Sequence, residues 1–342
     1  MDAPKRTVAL VGASGYTGTE ALRLLLGHPF VDLRILCAGR QAGRLISEIT
    51  PAFSGVELPR MVKFDADLIA AECEFAFLGL PHGMAQDATA QLLERGVRVI
   101  DLSADHRFSD PELYASIYSP HQHPESLRKT VYGLPELHRE RIPQAQLVGC
   151  PGCYPTSVIL GAFPAFQADL IRDSELIADC KSGVSGAGRT PSAVTHFPET
   201  ADGLHAYKTL QHRHAPEMSH YLGGPTVRFV PHLVPTIRGI LSTLYLRLRA
   251  GVTAVDVRRV YESAYGAEAF ICVLGEGQNP DPRHVRGTNR CHIGLFQSDD
   301  LLVVQSAIDN LCKGSSGQAL QCFNLMAGYD ESLGLAATAL FP

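Results

Sequence analysis

The sequence has no run approaching the ~20 apolar residues that a membrane-spanning helix needs, so no membrane partner is expected. It has no basic run either. Thirty lysines and arginines face 35 aspartates and glutamates, a formal net charge of −5, so no nucleic-acid partner is expected. Internal repeats and low-complexity segments are absent. Only one C-x-x-C occurs, Cys150 to Cys153, and a zinc site would want a second close Cys/His pair, so no metal is expected. The nine cysteines are an odd number without a small-domain framework, which points to reduced thiols and a cytoplasmic setting. Lys5-Arg6 followed by Thr7–Val11 only faintly imitates a secretory leader, because the apolar run is short and Gly12, Gly15 and Gly18 interrupt it.

What is present describes an ordinary globular chain. Its 342 residues suggest about two domains, and 45% hydrophobic with 19% charged residues allow a sizeable core. Residues 7–11 read as a buried parallel strand. Gly12, Ser14, Gly15, Tyr16, Thr17 and Gly18 form the turn that follows, and a helix runs on through Leu22, Leu25 and Leu26. A second strand, Leu33–Ala38, completes a βαβ unit. This is a dinucleotide-binding pattern, in which glycines let backbone approach a pyrophosphate at a helix N-terminus. Its spacing is G-x-x-G-x-x-G, with Ser14 where the usual fingerprint has glycine. The second strand also lacks the acid that holds the ribose hydroxyls of NAD. It ends Cys37-Ala38-Gly39-Arg40, and Asp32 lies at the wrong end. Arg40 suits a 2′-phosphate, so NADP(H) is the expected cofactor.

Further strands are expected at Phe75–Leu80 and Val97–Leu102, with a helix near Ala85–Arg95 between them. Their C-terminal ends carry Pro81-His82-Gly83 and Ser103-Ala104-Asp105-His106-Arg107. That edge binds ligands in open α/β sheets, and Arg107 suits an anion.

The reactive candidate is Cys153. The apolar run Ala145–Val148 leads into Gly149-Cys150-Pro151-Gly152-Cys153, and Pro155 sits where a helix is expected to start. A cysteine at such a start meets free N–H groups and a positive dipole end, which favour thiolate. Cys37, Cys73, Cys180, Cys272, Cys312 and Cys322 read as small core residues. The Cys150–Cys153 pair also admits a thiol–disulfide reading.

Beyond residue 153 the pattern turns β-rich, at Leu176–Lys181, Thr226–Val230, Gly239–Arg249 and Phe270–Leu274, with a helix near Val255–Tyr265. The expected fold is α/β: a Rossmann-type dinucleotide-binding domain, 1–150 and 310–342, plus an α+β catalytic domain, 151–309, with a largely antiparallel sheet. The loop Ser182-Gly183-Val184-Ser185-Gly186-Ala187-Gly188-Arg189 could admit substrate or cofactor to backbone. His212-Arg213-His214-Ala215-Pro216-Glu217 gathers groups for proton transfer and anion contact. Strand Leu301–Gln305 precedes Asp309–Gly314 and a last helix, Ser316–Met326.

These stretches, with Leu80–Gly83, Gly149–Thr156 and Phe229-Val230-Pro231-His232-Leu233-Val234-Pro235, resemble the longer form of the N-acetyl-γ-glutamyl-phosphate reductase family, which belongs with the aspartate-semialdehyde dehydrogenases. The likeness spans nearly the whole chain. Its sharpest parts are Pro-Gly-Cys-Tyr-Pro-Thr and His-Arg-His-x-Pro-Glu. The family usually has another residue where Cys150 stands.

The resemblance implies arginine biosynthesis by reductive dephosphorylation of an acyl-phosphate substrate. Cys153 would expel inorganic phosphate to give a thioester, with NADP(H) as hydride source. It implies His212, or less favourably His214, as acid/base, and Glu217 as its orienting partner. Arg107, Ser182, Gly183 and Arg213 would meet substrate. Gly12–Gly18, Arg40, Pro81, Gly186 and Asn310 would meet cofactor, with Asn310 on the carboxamide. It further implies a homodimer or homotetramer. Reductases of aminoadipyl or aspartyl phosphate are the nearest rival activities, and a non-catalytic NADP sensor is a remoter one.

Overall fold

Two kinds of apolar pattern become two kinds of sheet. The computed structural model of the chain describes residues 4–340. The chain divides into two units, one of residues up to Pro151 with Ser315–Ala336, the other Gly152–Gly314 with the residues from Ala337 on.

In the first unit the strands run into segments buried on both faces, although β2 carries Asp32 and an exposed Arg34 in its first half. They are β1 (Arg6–Val11), β2 (Val31–Cys37), β3 (Phe75–Leu78), β4 (Arg98–Asp101), β5 (Thr130–Tyr132) and β6 (Leu147–Gly149). All neighbours pair in parallel, in the order β2-β1-β3-β4-β6-β5. Helices α1 (Tyr16–Leu26), α2 (Ala66–Glu72), α3 (Ala85–Glu94), α4 (Pro111–Ile117), α5 (Pro124–Arg128), α6 (Pro135–His138) and α11 (Gly317–Ala327) complete it. Continuous apolar strands are what a sheet covered on both faces requires. Phe75 and Phe77 meet Phe323 of α11, with ring centroids 5.0 and 5.7 Å apart. Ala76 and Leu78, of opposite parity, join Ile69 and Leu92 from α2 and α3. The strand order reverses at β1, which stands between β2 and β3. The crevice at such a reversal is where this architecture binds nucleotides.

The second unit alternates. Its strands are β7 (Glu175–Gly183), β8 (His205–Ala206), β9 (Thr226–Val234), β10 (Ile240–Arg247), β11 (Ile271–Val273), β12 (Cys291–Ser298) and β13 (Leu301–Ile308). Their order is β11-β12-β13-β10-β7-β9-β8. Four neighbouring pairs are antiparallel and two, β11 with β12 and β7 with β9, are parallel. Its helices are α7 (Cys153–Gln167), α8 (Phe197–Thr200), α9 (His214–Tyr221) and α10 (Ala254–Tyr265). The period-2 burial of β7 and β10 puts one face under α7 and α10. Tyr261 and Tyr265 of α10 donate to the carbonyls of Gly161 and Leu160, both at 2.6 Å. A Cβ at Gly161 would lie 2.7 Å from Leu244 Cδ1, so a larger residue there would displace the end of that buried side chain. Beneath α7 three buried hydroxyls meet: Ser157 Oγ lies 2.8 Å from Ser242 Oγ and 3.1 Å from Ser306 Oγ. The other face shows half-exposed Ile177, Leu241, Tyr245, Leu301, Val303 and Phe296.

Two expectations need correction, and one strand was not expected. The helix expected to open near Pro155 opens at Cys153, since Gly152 already has extended N-cap geometry. Cys272 is exposed rather than core, because it lies on the outward parity of short strand β11. Strand β12 has no counterpart in the sequence reading, because Gly294 and Gln297 interrupt its apolar pattern.

Candidate active site

Cys153 is the first residue of α7, and only partly buried. Its N-cap, Gly152, makes no side-chain cap, and the first turn holds no acidic residue. The positive end of the helix is therefore left to the thiol. The Gly152 N–H donates to Glu217 Oε1 at 2.9 Å, and Glu217 is fully buried in α9. Thr156 Oγ1 donates to the Gly152 carbonyl at 3.1 Å. Both sides of the N-cap peptide are thus held. Gly314 passes so close that a Cβ there would lie 2.9 Å from the Cys153 Cβ. Any other residue would push the thiol aside.

Aromatic rings wall the cysteine. Tyr154 is buried, donates to the His232 carbonyl at 2.9 Å, and accepts from Tyr207 Oη at 3.5 Å. Burial pushes Tyr207 up to about 12, the Tyr154 hydroxyl opposes this, and charge on Cys153 adds to the rise. Tyr154 is raised for the same leading reason, burial, with Cys153 again contributing. Both hydroxyls therefore stay protonated beside the cysteine. The His212 ring lies 6.2 Å from Tyr154, 5.7 Å from Tyr207, 5.4 Å from Phe229 and 4.5 Å from His214. The His214 backbone N–H donates to His212 Nδ1 at 3.1 Å. Cys153, His212, His214 and Glu217 thus gather in the second unit. Glu217 faces the cysteine's own turn through Gly152. Arg213 is exposed.

The second glycine-rich loop is tied down by its own chain. Ser182 is buried and its Oγ donates to the Gly183 carbonyl at 3.0 Å. A Cβ at Gly183 would lie 2.8 Å from Arg238 N, so the close approach here is to backbone at 237–238. Gly186 faces Ser182 Oγ and Asn310 Nδ2. Asn310 is buried, with Oδ1 accepting from Gly239 N–H at 2.8 Å and Nδ2 donating to Ser185 Oγ at 2.9 Å. One amide hydrogen and one acceptor lone pair remain for other partners. Asp309, fully buried, is bound by Arg238 at 2.9 Å and by the N–H groups of Gly287, Leu311 and Cys312.

In the first unit, Gly12 has φ +88°, and a Cβ there would lie 2.4 Å from the Gly79 carbonyl. A Cβ at Gly18 would lie 2.1 Å from the Gly12 carbonyl. Helix α1 starts at Tyr16 after Gly15 with neither a side-chain cap nor an acid in its first turn. Thr17 lends its carbonyl to Ser316 Oγ at 2.9 Å, and Ser14 is half-buried in the same turn. A cradle narrowed to glycine, at an uncapped helix start, fits a dinucleotide pyrophosphate. Arg40 stands exposed in the turn after β2, and Pro81 is exposed after β3. Among the described residues Arg40 has no ion-pair partner.

Arg107 is buried, and its Nε donates to the Cys150 carbonyl at 3.1 Å. Its loop is built on buried carboxylates. Asp101 Oδ2 lies 2.7 Å from both His106 Nδ1 and Ser103 Oγ. Asp105 accepts from Gly83 and Ala85 N–H. Gly149 must be glycine because a Cβ would lie 1.7 Å from the His106 carbonyl. Sequence reasoning gave no role to Tyr154, Tyr207 or Gly314. Tyr154 follows Cys153 directly and could have been singled out, whereas nothing marks Tyr207.

The comparisons agree with this geometry. The family described as semialdehyde dehydrogenase, NAD binding domain, matches residues 7–145, and semialdehyde dehydrogenase, dimerisation domain, matches residues 153–310. The N-acetyl-gamma-glutamyl-phosphate reductase of Geobacter metallireducens is 46% identical, over 98% of this chain and 99% of its own. The protein of that name from Methanocaldococcus jannaschii is 42% identical, over 98% and 100%. Among solved structures, aspartate semialdehyde dehydrogenase II of Vibrio cholerae, complexed with ASA, shares the fold at TM-score 0.72 and 17% identity, over 95% of this chain and 99% of that one. The aspartate semialdehyde dehydrogenase of Candida albicans, solved with NADP, does so at 0.72 and 17%, over 94% and 98%. By sequence, domain content and fold, the chain belongs to the N-acetyl-gamma-glutamyl-phosphate reductase family of semialdehyde dehydrogenases.

Proposed function

We propose that the protein reduces N-acetyl-γ-glutamyl phosphate to N-acetylglutamate semialdehyde and phosphate, through a thioester on Cys153. The observation that carries this reading is the cysteine at the uncapped start of α7, with Glu217 holding the Gly152 peptide and Gly314 leaving the thiol room. Cys153 attacks the acyl carbon as thiolate and phosphate departs. Nicotinamide, when bound, supplies the hydride that the thioester needs. The Gly12–Gly18 turn holds the pyrophosphate, and Arg40 pairs with a 2′-phosphate, which favours NADP(H). Arg107 and Arg213 supply charge for the anionic substrate, and His212 attends the acyl oxygen. Asn310 fixes the Ser182–Gly186 loop and offers its remaining amide hydrogen to the cofactor carboxamide.

The half-apolar outer face of the second sheet, Ile177, Leu241, Tyr245, Leu301, Val303 and Phe296, takes a second copy of the chain, in keeping with the dimerisation domain it matches. None of the nine cysteines, all among the described residues, is in a disulfide, which suits the cytoplasm. No described helix is long and apolar enough to cross a membrane.

The reverse reaction tests the whole reading. Phosphate, NADP and a panel of semialdehydes of increasing length are supplied, and NADPH formation is followed. Fastest turnover with N-acetylglutamate semialdehyde is expected. Preference for aspartate semialdehyde would replace the substrate, and no phosphate dependence would remove the acyl-phosphate chemistry.

A further inference from the structure

We propose that Asp309 is a positioning residue for the Cys153 thiol and acts through Gly314. This deepens the thioester reading above and rests on it.

Asp309 directly follows β13, whose pairing ends at Ile308 against Ile240 of β10 and Cys291 of β12. Its starting point is therefore fixed on both sides. The chain then turns sharply. The Gly314 N–H donates to the Asp309 carbonyl at 2.9 Å. That bond is wider than an α-helical one, and turns of this width recur at functional sites. Gly314 ends the turn, and a Cβ there would lie 2.9 Å from the Cys153 Cβ and 3.3 Å from its Cα. Whatever sets the turn sets the wall against which the thiol stands.

The Asp309 side chain sets it. Oδ1 accepts from the N–H groups of Leu311 and Cys312, at 2.8 and 3.0 Å. A carboxylate bound to the second and third N–H groups beyond it is the pattern of a helix cap. Oδ2 accepts from the Gly287 N–H at 2.6 Å. Arg238 grips both oxygens, with Nε on Oδ2 at 2.9 Å and Nη2 on Oδ1 at 3.0 Å. The carboxylate is fully buried. Asn310, the next residue, ties the same turn to Gly239 and Ser185. Gly287, Arg238 and the turn are thus joined at a single side chain.

Stability alone does not account for this arrangement. Burying an ion pair costs desolvation that its attraction barely offsets, and apolar residues of similar size often serve as well. A two-pronged guanidinium–carboxylate contact instead fixes direction. Here the fixed direction leads to Gly314. Attack on an acyl carbon depends on such placement, since a misplacement of about 1 Å can slow a reaction about 10²-fold.

A double-mutant cycle tests the proposal. Gly314→Ala crowds the thiol directly, and Asp309→Asn loosens the turn that carries Gly314. Phosphate release from the acyl phosphate, in a single turnover without reduced cofactor, reads the attack by Cys153. We expect each change to slow it by about 10–10²-fold. The two together should be no slower than the worse single change, because both act on one wall. Losses that multiply would overturn the proposal. In full turnover, KM for the acyl phosphate should stay within about twofold of the parent in Asp309→Asn. A raised KM with an unchanged release rate would also overturn it. The pH midpoint of iodoacetamide labelling at Cys153 should hold in Asp309→Asn, since the start of α7 supplies the charge stabilisation. A shifted midpoint would make Asp309 an electrostatic group and sink the positioning role. If Asp309→Asn does not fold, Arg238→Lys, at a partly exposed site, replaces it in the same cycle with the same outcomes. Failure of the thioester reading looks different: Cys153→Ser would then release phosphate at the parent's rate, whatever stands at position 309.

Discussion

Helices α1 and α7 begin alike and are used differently. Each has glycine at the N-cap in extended geometry, no side-chain cap and no acid in the first turn. Each therefore presents free N–H groups and a positive dipole end. Among the described residues, no side chain caps α1 and no acid stands in its first turn. The glycines crowd backbone on backbone at Gly12, Gly18 and Gly79, which suits the close approach of an external anion. In α7 residue 153 itself puts a thiol at that end, the nucleophile of the proposed function. The chain also spends the N-cap N–H on Glu217, a carboxylate that opposes a second negative charge nearby. On the proposed function, one local chemistry serves a ligand site at α1 and a nucleophile at α7. The difference lies in what stands beside each helix start.

The strongest test of that contrast is Cys153→Ser. Serine does not ionise at neutral pH, so reductase activity should fall by about 10⁴-fold or more. NADPH affinity, read by fluorescence, should not change. An active Cys153→Ser would end the parallel between the two helix starts.

Gly18→Ala attacks α1 alone. Its Cβ would sit 2.1 Å from a backbone carbonyl that cannot give way cheaply. Thermal unfolding should show a loss of about 1–3 kcal/mol, and NADPH binding should weaken. Iodoacetamide labelling of Cys153 should keep its parental rate. If labelling slows as well, the two starts are not independent.

Glu217 sharpens the α7 side. Glu217→Ala leaves the buried Gly152 N–H without its acceptor, which should cost about 1–3 kcal/mol in chemical denaturation. Glu217→Gln keeps an acceptor and removes the opposing charge. Thiolate is then easier to form, so labelling at pH 7 should be faster than in the parent. Slower labelling would mean that the carboxylate helps the thiolate by another route.

Arg40→Ala should have the smallest effect. NADPH affinity should drop about tenfold, or about 1.4 kcal/mol, while NADH affinity stays level. Equal losses for both cofactors would take Arg40 off the 2′-phosphate.

The sequence made the helix starts legible because glycine, proline and apolar period are local signals. Strands β1 and β7 could be read as buried and alternating for the same reason. What stayed hidden depends on residues far apart in the chain. Glu217 and Gly152 are 65 positions apart, and Asn310 meets Ser185 across 125. Nothing near Glu217 says that one of its oxygens will reach the cysteine's turn. Tyr207 was invisible because its contacts, with the Tyr154 hydroxyl and the His212 ring, arise only in the folded chain. Cys272 was misjudged because residue type alone does not give the face of a three-residue strand.

The three serines beneath α7 have a consequence for assembly. Ser157, Ser242 and Ser306 come from a helix and two strands, and none touches water. A helix docked one residue out of place would still bury mostly apolar side chains, so greasy contact alone would not reject it. It would, however, strand these hydroxyls in a dry interior, at about 1–3 kcal/mol each. The trio acts as a proofreading latch. Ser157 lies one helical turn beyond Cys153, so what the latch inspects is the placement of the proposed nucleophile.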